Sequence, residues 1–189
     1  MALTRIGLNQ SINLASNVTG TLPTGNGGTG ATSFTAGKVL QVASVDFGGD
    51  ASTTSSSNQK AGTNFEVSLT PSSTSNKILV LINGGNAYIN NDREMKVALY
   101  RKIGSGSEDV MLATDVDGTN SIIGYVMRAV NASGQLQLPH SFSYLDSPNS
   151  TSSVKYAPYF NSQTGNAVYF NTTDSGNWNV NLTIMEIAG

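Results

Sequence analysis

From about residue 38 onward, apolar and polar residues alternate along most of the chain, a pattern that predicts β-strands. Residues 65–69, 95–99 and 178–184 show it most clearly, with an apolar side chain at every second position. Residues 78–82 are instead apolar throughout. They predict a central strand covered on both faces, by a second sheet and either a neighbouring subunit or a loop of the same chain.

Further strand candidates bring the predicted number to about ten, a spacing typical of a sandwich or jelly roll. They are 39–45, 110–113, 122–127, 136–145, 154–160 and 167–171. Residues tolerant of positive φ predict turns between them, at 84–85, 90–92, 104–106, 117–118, 165–166 and 174–176, and Ser/Thr-rich stretches predict longer loops at 52–57 and 147–153. No segment predicts a helix. The predicted fold class is therefore all-β, an antiparallel β-sandwich resembling a jelly roll.

The first 37 residues differ from the rest in composition. Residues 12–37 read INLASNVTGTLPTGNGGTGATSFTAG, which offers little apolar surface to bury. Composition alone favours a flexible linker, whereas three copies wound about one axis could turn their sparse aliphatic side chains inward. The predicted organisation is an extended N-terminal segment with a glycine-rich hinge over 1–37 and a sandwich head over 38–189.

Several segments resemble known proteins. NVTGTLPTGNGGTGATS, at 17–33, resembles a linker that recurs in tail-fibre and other virion fibre proteins of tailed bacteriophages. GKVLQVASVDF, TPSSTSNKILVLINGG and LTIMEIAG resemble a β-sandwich module at the ends of such fibres, particularly in phages of cyanobacteria and other marine hosts. The resemblance implies a homotrimeric virion fibre, made in the host cytoplasm, with an adhesive or decorative head.

In such a fibre the N-terminal segment would attach to the virion, since the head follows the hinge. The side chains expected to dock on another virion protein of the tail, baseplate or capsid are Leu3, Arg5, Ile6 and Leu8.

Charge and composition exclude several other partners. The formal net charge is -2, only 12% of residues are charged, and no Lys/Arg cluster is present to bind nucleic acid. The absence of cysteine excludes disulfides and thiolate metal sites. No signal peptide and no apolar run long enough to span a bilayer are expected.

The sequence offers little catalytic chemistry. His140 is the sole histidine, and its place among alternating apolar residues predicts a packed or interface side chain rather than a member of a Ser-His-Asp triad. The acidic residues Asp109, Asp115 and Asp117 lack the spacing of an EF-hand and predict a turn. No enzyme activity, cofactor or metal site is predicted, and no repeat of the kind found in solenoid depolymerases is present.

Carbohydrate binding is the remaining candidate function for the head. Sugar sites combine an exposed aromatic ring with amide groups that bind hydroxyls, and Tyr88, Asn90 and Asn91 provide both within four residues. Packing in the core or an interface remains the simpler interpretation of any one of the aromatic candidates, which are Tyr88, Tyr156, Tyr159, Tyr169 and Trp178. The predicted function is a virion fibre protein whose head binds a host-surface glycan; the alternative is a capsid or tail decoration protein that stabilises the particle without binding a receptor.

Overall fold

The computed structural model describes residues 37–90, 93–114, 120–129, 134–172 and 178–189. Within these ranges there are fourteen strands and no helix, so no helix is long and apolar enough to cross a membrane. The strands are β1 (Val39–Phe47), β2 (Ala51–Thr53), β3 (Gln59–Lys60), β4 (Val67–Leu69), β5 (Lys77–Asn90), β6 (Glu94–Ile103), β7 (Glu108–Val110), β8 (Leu112–Thr114), β9 (Asn120–Ile122), β10 (Gly124–Arg128), β11 (Gln135–Asp146), β12 (Val154–Ser162), β13 (Val168–Asn171) and β14 (Val180–Ile187).

Two six-stranded antiparallel sheets form the body of the head. Sheet A has the order β1-β14-β5-β13-β2, with β11 also paired to β5. Sheet B has the order β10-β6-β12-β3, with β4 paired to β12 and β7 to β6, and β8 and β9 form a separate small ladder. The predicted all-β, antiparallel sandwich is confirmed.

The core lies between the two sheets because each long strand buries every second side chain. β5 contributes Ile78, Val80 and Ile82, and β6 contributes Val97 and Leu99 to the same buried cluster. Burying each of these side chains stabilises the fold by roughly 1.5–3 kcal/mol.

Phe170 is a central aromatic residue of this core. It is fully buried, and its ring centroid lies 6.0 Å from that of Phe65 and 5.7 Å from that of Phe160. These rings come from β13, from the segment before β4 and from β12, so the cluster joins the two sheets.

Residues 78–82 form a central strand, as predicted, but the coverage of its two faces differs. Ile78, Val80 and Ile82 are buried, whereas Leu79 and Leu81 are only half-buried. The described residues therefore cover the second face only in part. Coverage by a neighbouring subunit or by a loop of the same chain stays a prediction.

Gly84 and Gly85 lie inside a strand and do not form the predicted turn. Both have positive φ (+88° and +63°), and the register of β5 against β11 shifts between Leu138 and His140. The pair is therefore a bulge that the chain passes through before continuing to Asn90. A Cβ on Gly85 would lie 2.0 Å from Cγ2 of Val180, so only glycine fits.

Of the other predicted turns, loops and strands, some are confirmed and some are wrong. The turn at Gly104 and the turn at Gly165 are confirmed, each with positive φ. The loop predicted at 52–57 is partly wrong, because β2 occupies its start and pairs with β13. The strand predicted from 178 begins only at Val180. The N-terminal segment up to residue 36, residues 91–92, Asp115, Asp117 and the turns at 117–118 and 174–176 lie outside the described residues.

A buried carboxylate fastens the end of β14. Glu186 is fully buried and accepts hydrogen bonds at 2.6 Å from each of three nitrogens, Nε2 of Gln41, Nδ2 of Asn76 and the backbone N–H of Ser72. Burial raises the pKa of Glu186, but the hydrogen bonds outweigh it and hold the pKa below its ordinary value. The charge links β14 to β1 and to the loop before β5.

Candidate ligand-binding site

Two of the residues predicted to bind a ligand, Tyr88 and Asn90, lie on one face of β5. Ala87 and Ile89 point into the core, so the side chains of Tyr88 and Asn90 lie on the opposite, outer face of sheet A. The other predicted site residues lie outside the described residues: Asn91, and the attachment residues Leu3, Arg5, Ile6 and Leu8.

Tyr88 forms an aromatic pair with a residue from a distant part of the chain. Tyr169 of β13 lies directly opposite it in register, and the two ring centroids are 5.1 Å apart at an interplanar angle of 55°. Both rings are half-buried. The pair forms a rigid aromatic surface on the outer face, since each ring restrains the other.

The side-chain amide of Asn90 places hydrogen-bonding groups beside this pair. Its Nδ2 donates a hydrogen bond to the Tyr88 hydroxyl at 3.2 Å, while its buried Oδ1 has no partner among the described residues. An unpaired buried acceptor costs about 1–3 kcal/mol, which a ligand hydroxyl could offset. Tyr88, Tyr169 and Asn90 together therefore have the composition of a small sugar-binding surface.

Tyr156, another aromatic candidate, belongs to the core. It is fully buried, and its hydroxyl donates to Oδ2 of Asp146 at 2.6 Å. Nη1 of Arg101 lies 2.8 Å and 2.9 Å from the two carboxylate oxygens of the same Asp146. Burial, together with the Asp146 charge, raises the pKa of Tyr156. Its interactions are all internal, which excludes it as a ligand contact.

Tyr159 is held on the outer side of sheet B. Its ring stacks on Tyr100 with centroids 4.0 Å apart, and its hydroxyl donates to Glu108. That hydrogen bond is the main reason why the pKa of Glu108 is lowered. Nearby, Lys60 and Lys155 both bind Glu66, so positive and negative charges are matched on this surface.

His140 is packed, as predicted. It is fully buried, stacks on Phe170 with centroids 4.0 Å apart, and donates its Nε2–H to the carbonyl oxygen of Phe170. Nδ1 is then unprotonated and accepts a hydrogen bond from the Tyr125 hydroxyl. Burial lowers the pKa of His140 to about 4, so the ring is neutral near pH 7. Both nitrogens are occupied by structural hydrogen bonds.

The described residues contain no group of three or more His, Asp or Glu side chains placed to hold a metal ion. The sequence analysis named Tyr88 and Asn90 because an aromatic ring and amide side chains lie close together in the chain, but it did not connect them to Tyr169. Only the register between β13 and β5 reveals that contact.

Comparison with known proteins gives limited information. No protein family matches the chain, and no curated protein matches it. Two solved structures of infectious bursal disease virus are distantly similar, each at 9% sequence identity. One, of the Gx strain, has a TM-score of 0.31 and covers 84% of this chain and 42% of its own. The other, a VP2 subviral particle, has a TM-score of 0.28 and covers 78% of this chain and 40% of its own. The chain thus spans about two fifths of the length of these chains, and similarity at this level establishes neither family nor function.

Proposed function

We propose that this chain is a structural fibre protein of a tailed-bacteriophage virion, anchored by its N-terminal segment and presenting a glycan-binding head to the host surface. One observation carries the proposal: a segment resembling the phage-fibre linker, at 17–33, precedes an antiparallel sandwich. Leu3, Arg5, Ile6 and Leu8 are the proposed contacts with the particle.

The outer face of sheet A supports the glycan part of this proposal. Tyr88 and Tyr169 offer a restrained aromatic surface, and the Oδ1 of Asn90 beside it is an acceptor without a partner among the described residues. Sugars present C–H groups on one ring face and hydroxyls at the rim, which these groups match. Several copies of a weak site gain strength by engaging one surface together.

An apolar row on the same sheet supports the proposed homotrimer. Val42, Met185, Leu79 and Leu145 lie side by side across β1, β14, β5 and β11 in direct register. Val42 and Leu145 are 57% and 47% exposed, although they belong to a contiguous apolar surface. Surfaces of this kind commonly pack against another protein. Neighbouring copies in a trimer would cover it.

Competition for adsorption tests the glycan-binding role. Purified full-length protein is added to host cells before the phage that encodes it, and free phage is counted over time. Wild-type protein should slow adsorption, and the double substitution Tyr88→Ala with Asn90→Ala should remove that effect. Gln59→Ala, at an exposed position of sheet B, is the matched control and should compete like wild type. Wild-type protein that leaves adsorption unchanged would refute a receptor-binding role.

The alternative is a decoration protein, and the apolar row specifically favours it. A row of aliphatic side chains fits a neighbouring protein better than a hydroxyl-rich sugar. In that case particles lacking the protein should adsorb normally but lose infectivity faster on heating. Slower adsorption of such particles would contradict the decoration role.

A further inference from the structure

A cleft lies at the bulge of β5, beside the Tyr88 surface but not lined by it. Its volume is about 250 Å³, and it is lined by Gly85, Asn86, Gln137, Leu138, Pro139 and Trp178. Gln137 lies directly opposite Tyr88 in the register of β11 and β5. The cleft and the Tyr88 surface are therefore adjacent through Gln137.

The walls of the cleft are held by one buried side chain. Asn171 is fully buried, and its Nδ2 donates to the carbonyl oxygens of Gly49 at 3.0 Å and Trp178 at 3.1 Å. Its Oδ1 accepts from the backbone N–H of Asn86 at 3.1 Å. The same amide thus fixes the backbone of Asn86, directly after the bulge, and that of Trp178, which is distant in sequence. A cleft with a fixed backbone is pre-organised for a ligand.

The lining combines an exposed apolar surface with free hydrogen-bonding capacity. Trp178 is 41% exposed and Leu138 is 48% exposed, so both present apolar surface to a ligand in the cleft. Asn86 is only 4% exposed, yet within the described part of the chain its Nδ2 has no hydrogen-bond partner. A buried donor without a partner is costly, and an oxygen bound in the cleft would satisfy it.

The charge of the lining limits the chemistry of the ligand. Among the described residues, none of the six that line the cleft carries a charge, so none of them compensates a carboxylate, phosphate or amine. The volume is below the roughly 300–1,000 Å³ of pockets for drug-sized ligands, which limits the occupant to one small ring. A neutral sugar ring has the required apolar face and hydroxyl rim.

We propose that this cleft binds a single neutral pyranose unit, with its C–H face on the indole of Trp178 and its hydroxyls on the amides of Asn86 and Gln137. The inference rests on the proposed function only for the source of the sugar, a host-surface glycan. The adjacent Tyr88 surface would then hold the next unit of the same glycan.

Fluorescence provides a direct test because Trp178 is the single tryptophan of the chain. The full-length protein is titrated in turn with galactose, glucose, mannose and glucuronate. A saturable change in emission is expected with at least one of the three neutral sugars, with a dissociation constant in the millimolar range. Glucuronate should produce a weaker change. No saturable change with any neutral sugar, or a stronger response to glucuronate, would overturn the proposal.

A matched pair of substitutions on β11 separates cleft binding from a general effect on the protein. Leu138 and Leu145 are 48% and 47% exposed, but only Leu138 lines the cleft. Leu138→Ala should weaken sugar binding by about five- to tenfold, whereas Leu145→Ala should leave it unchanged. Thermal unfolding of both variants checks that each is folded. Equal effects of the two substitutions would overturn the cleft assignment.

The adsorption assay distinguishes failure of this inference from failure of the proposed function. If wild-type protein blocks phage adsorption and Leu138→Ala blocks it equally well, the cleft is not the glycan site and the receptor-binding role stands. If the neutral sugars change the emission of Trp178 but the protein leaves adsorption unchanged, the cleft is a sugar site and the receptor-binding role is refuted.

Discussion

Replacing Glu186 with glutamine tests how the end of β14 is held. Oε1 accepts from Asn76 Nδ2 at 2.6 Å and from the backbone N–H and hydroxyl of Ser72 at 2.6 Å and 2.8 Å, while Oε2 accepts from Gln41 Nε2 at 2.6 Å. Glutamine has the same shape but only one acceptor oxygen. It can keep the three bonds at the Oε1 position and must present an NH₂ group to Gln41.

The expected cost follows from these contacts. Gln41 Nε2 also donates to the carbonyl oxygen of Thr70 at 2.8 Å, so rotating the Gln41 amide to offer its oxygen would break that bond. One hydrogen bond is lost in either case, and the remaining three lose the strength that the charge of Glu186 gives them. We expect Glu186→Gln to lower the free energy of unfolding by about 1–3 kcal/mol. Glu186→Ala, which removes all four hydrogen bonds to the carboxylate, should cost more.

Urea denaturation at a fixed protein concentration measures the effect, with Glu94→Gln as the control. Glu94 pairs with Arg128 at 3.2 Å, but the Arg128 side chain is 66% exposed, so that pair contributes about 0–1 kcal/mol. The midpoint should fall clearly for Glu186→Gln and hardly at all for Glu94→Gln. Equal shifts would refute the role given to the buried carboxylate.

The pH dependence provides a second check on the same residue. The pKa of Glu186 is below its ordinary value of 4.5 in the folded protein, so the unfolded chain binds the proton more readily. The stabilisation is therefore present above about pH 4.5 and is lost as the pH falls through the lower, folded-state value. The stability curves of wild type and Glu186→Gln should converge at acid pH. A constant difference down to that range would contradict the assigned charge state.

Three further predictions concern the core and the bulge. Phe170→Ala should lower the free energy of unfolding by about 3–5 kcal/mol in urea denaturation, because it leaves a cavity between Phe65 and Phe160. A loss below about 1 kcal/mol would contradict the central position of Phe170. Gly85→Ala should lower the melting temperature, since the added Cβ meets Val180 at 2.0 Å and φ is +63°; an unchanged value would argue against the bulge. The His140 ring should titrate near pH 4 when followed by NMR. The neutral ring therefore contributes less to the stability of the fold as the pH falls from about 6.5 toward 4. A titration midpoint near pH 6.5 would mean that the ring is exposed.

The strands were predictable from sequence where one face is buried. In residues 154–160 the alternation identifies β12, whose Val154, Tyr156 and Phe160 are all in the core. The pattern succeeds because a pleated strand places successive side chains on opposite faces, and burial on one face selects apolar residues there. Short strands such as β2 were missed, since three residues are too few to show a period.

Long-range pairing explains what the sequence could not predict. Gly84–Gly85 suits a turn and a bulge equally well locally, because both need positive φ. The choice depends on the partner strands, because β14 pairs with β5 only as far as Gly84, whereas β11 pairs with it on both sides of the bulge. The sequence likewise indicates only part of the candidate site. Tyr88 and Asn90 share a face by their spacing, whereas Leu138 and Trp178 are distant in sequence and line one cleft only in the folded chain.

Electron cryo-microscopy of intact phage particles tests the proposed virion role most directly. An antibody fragment against the head marks the chain on particles of the phage that encodes it. Heads grouped in threes at the outer end of a fibre, with the N-terminal segment toward the particle, are the predicted result. Labelling spread over the capsid would favour the decoration protein instead. Absence of the chain from purified particles would contradict a structural role in the virion.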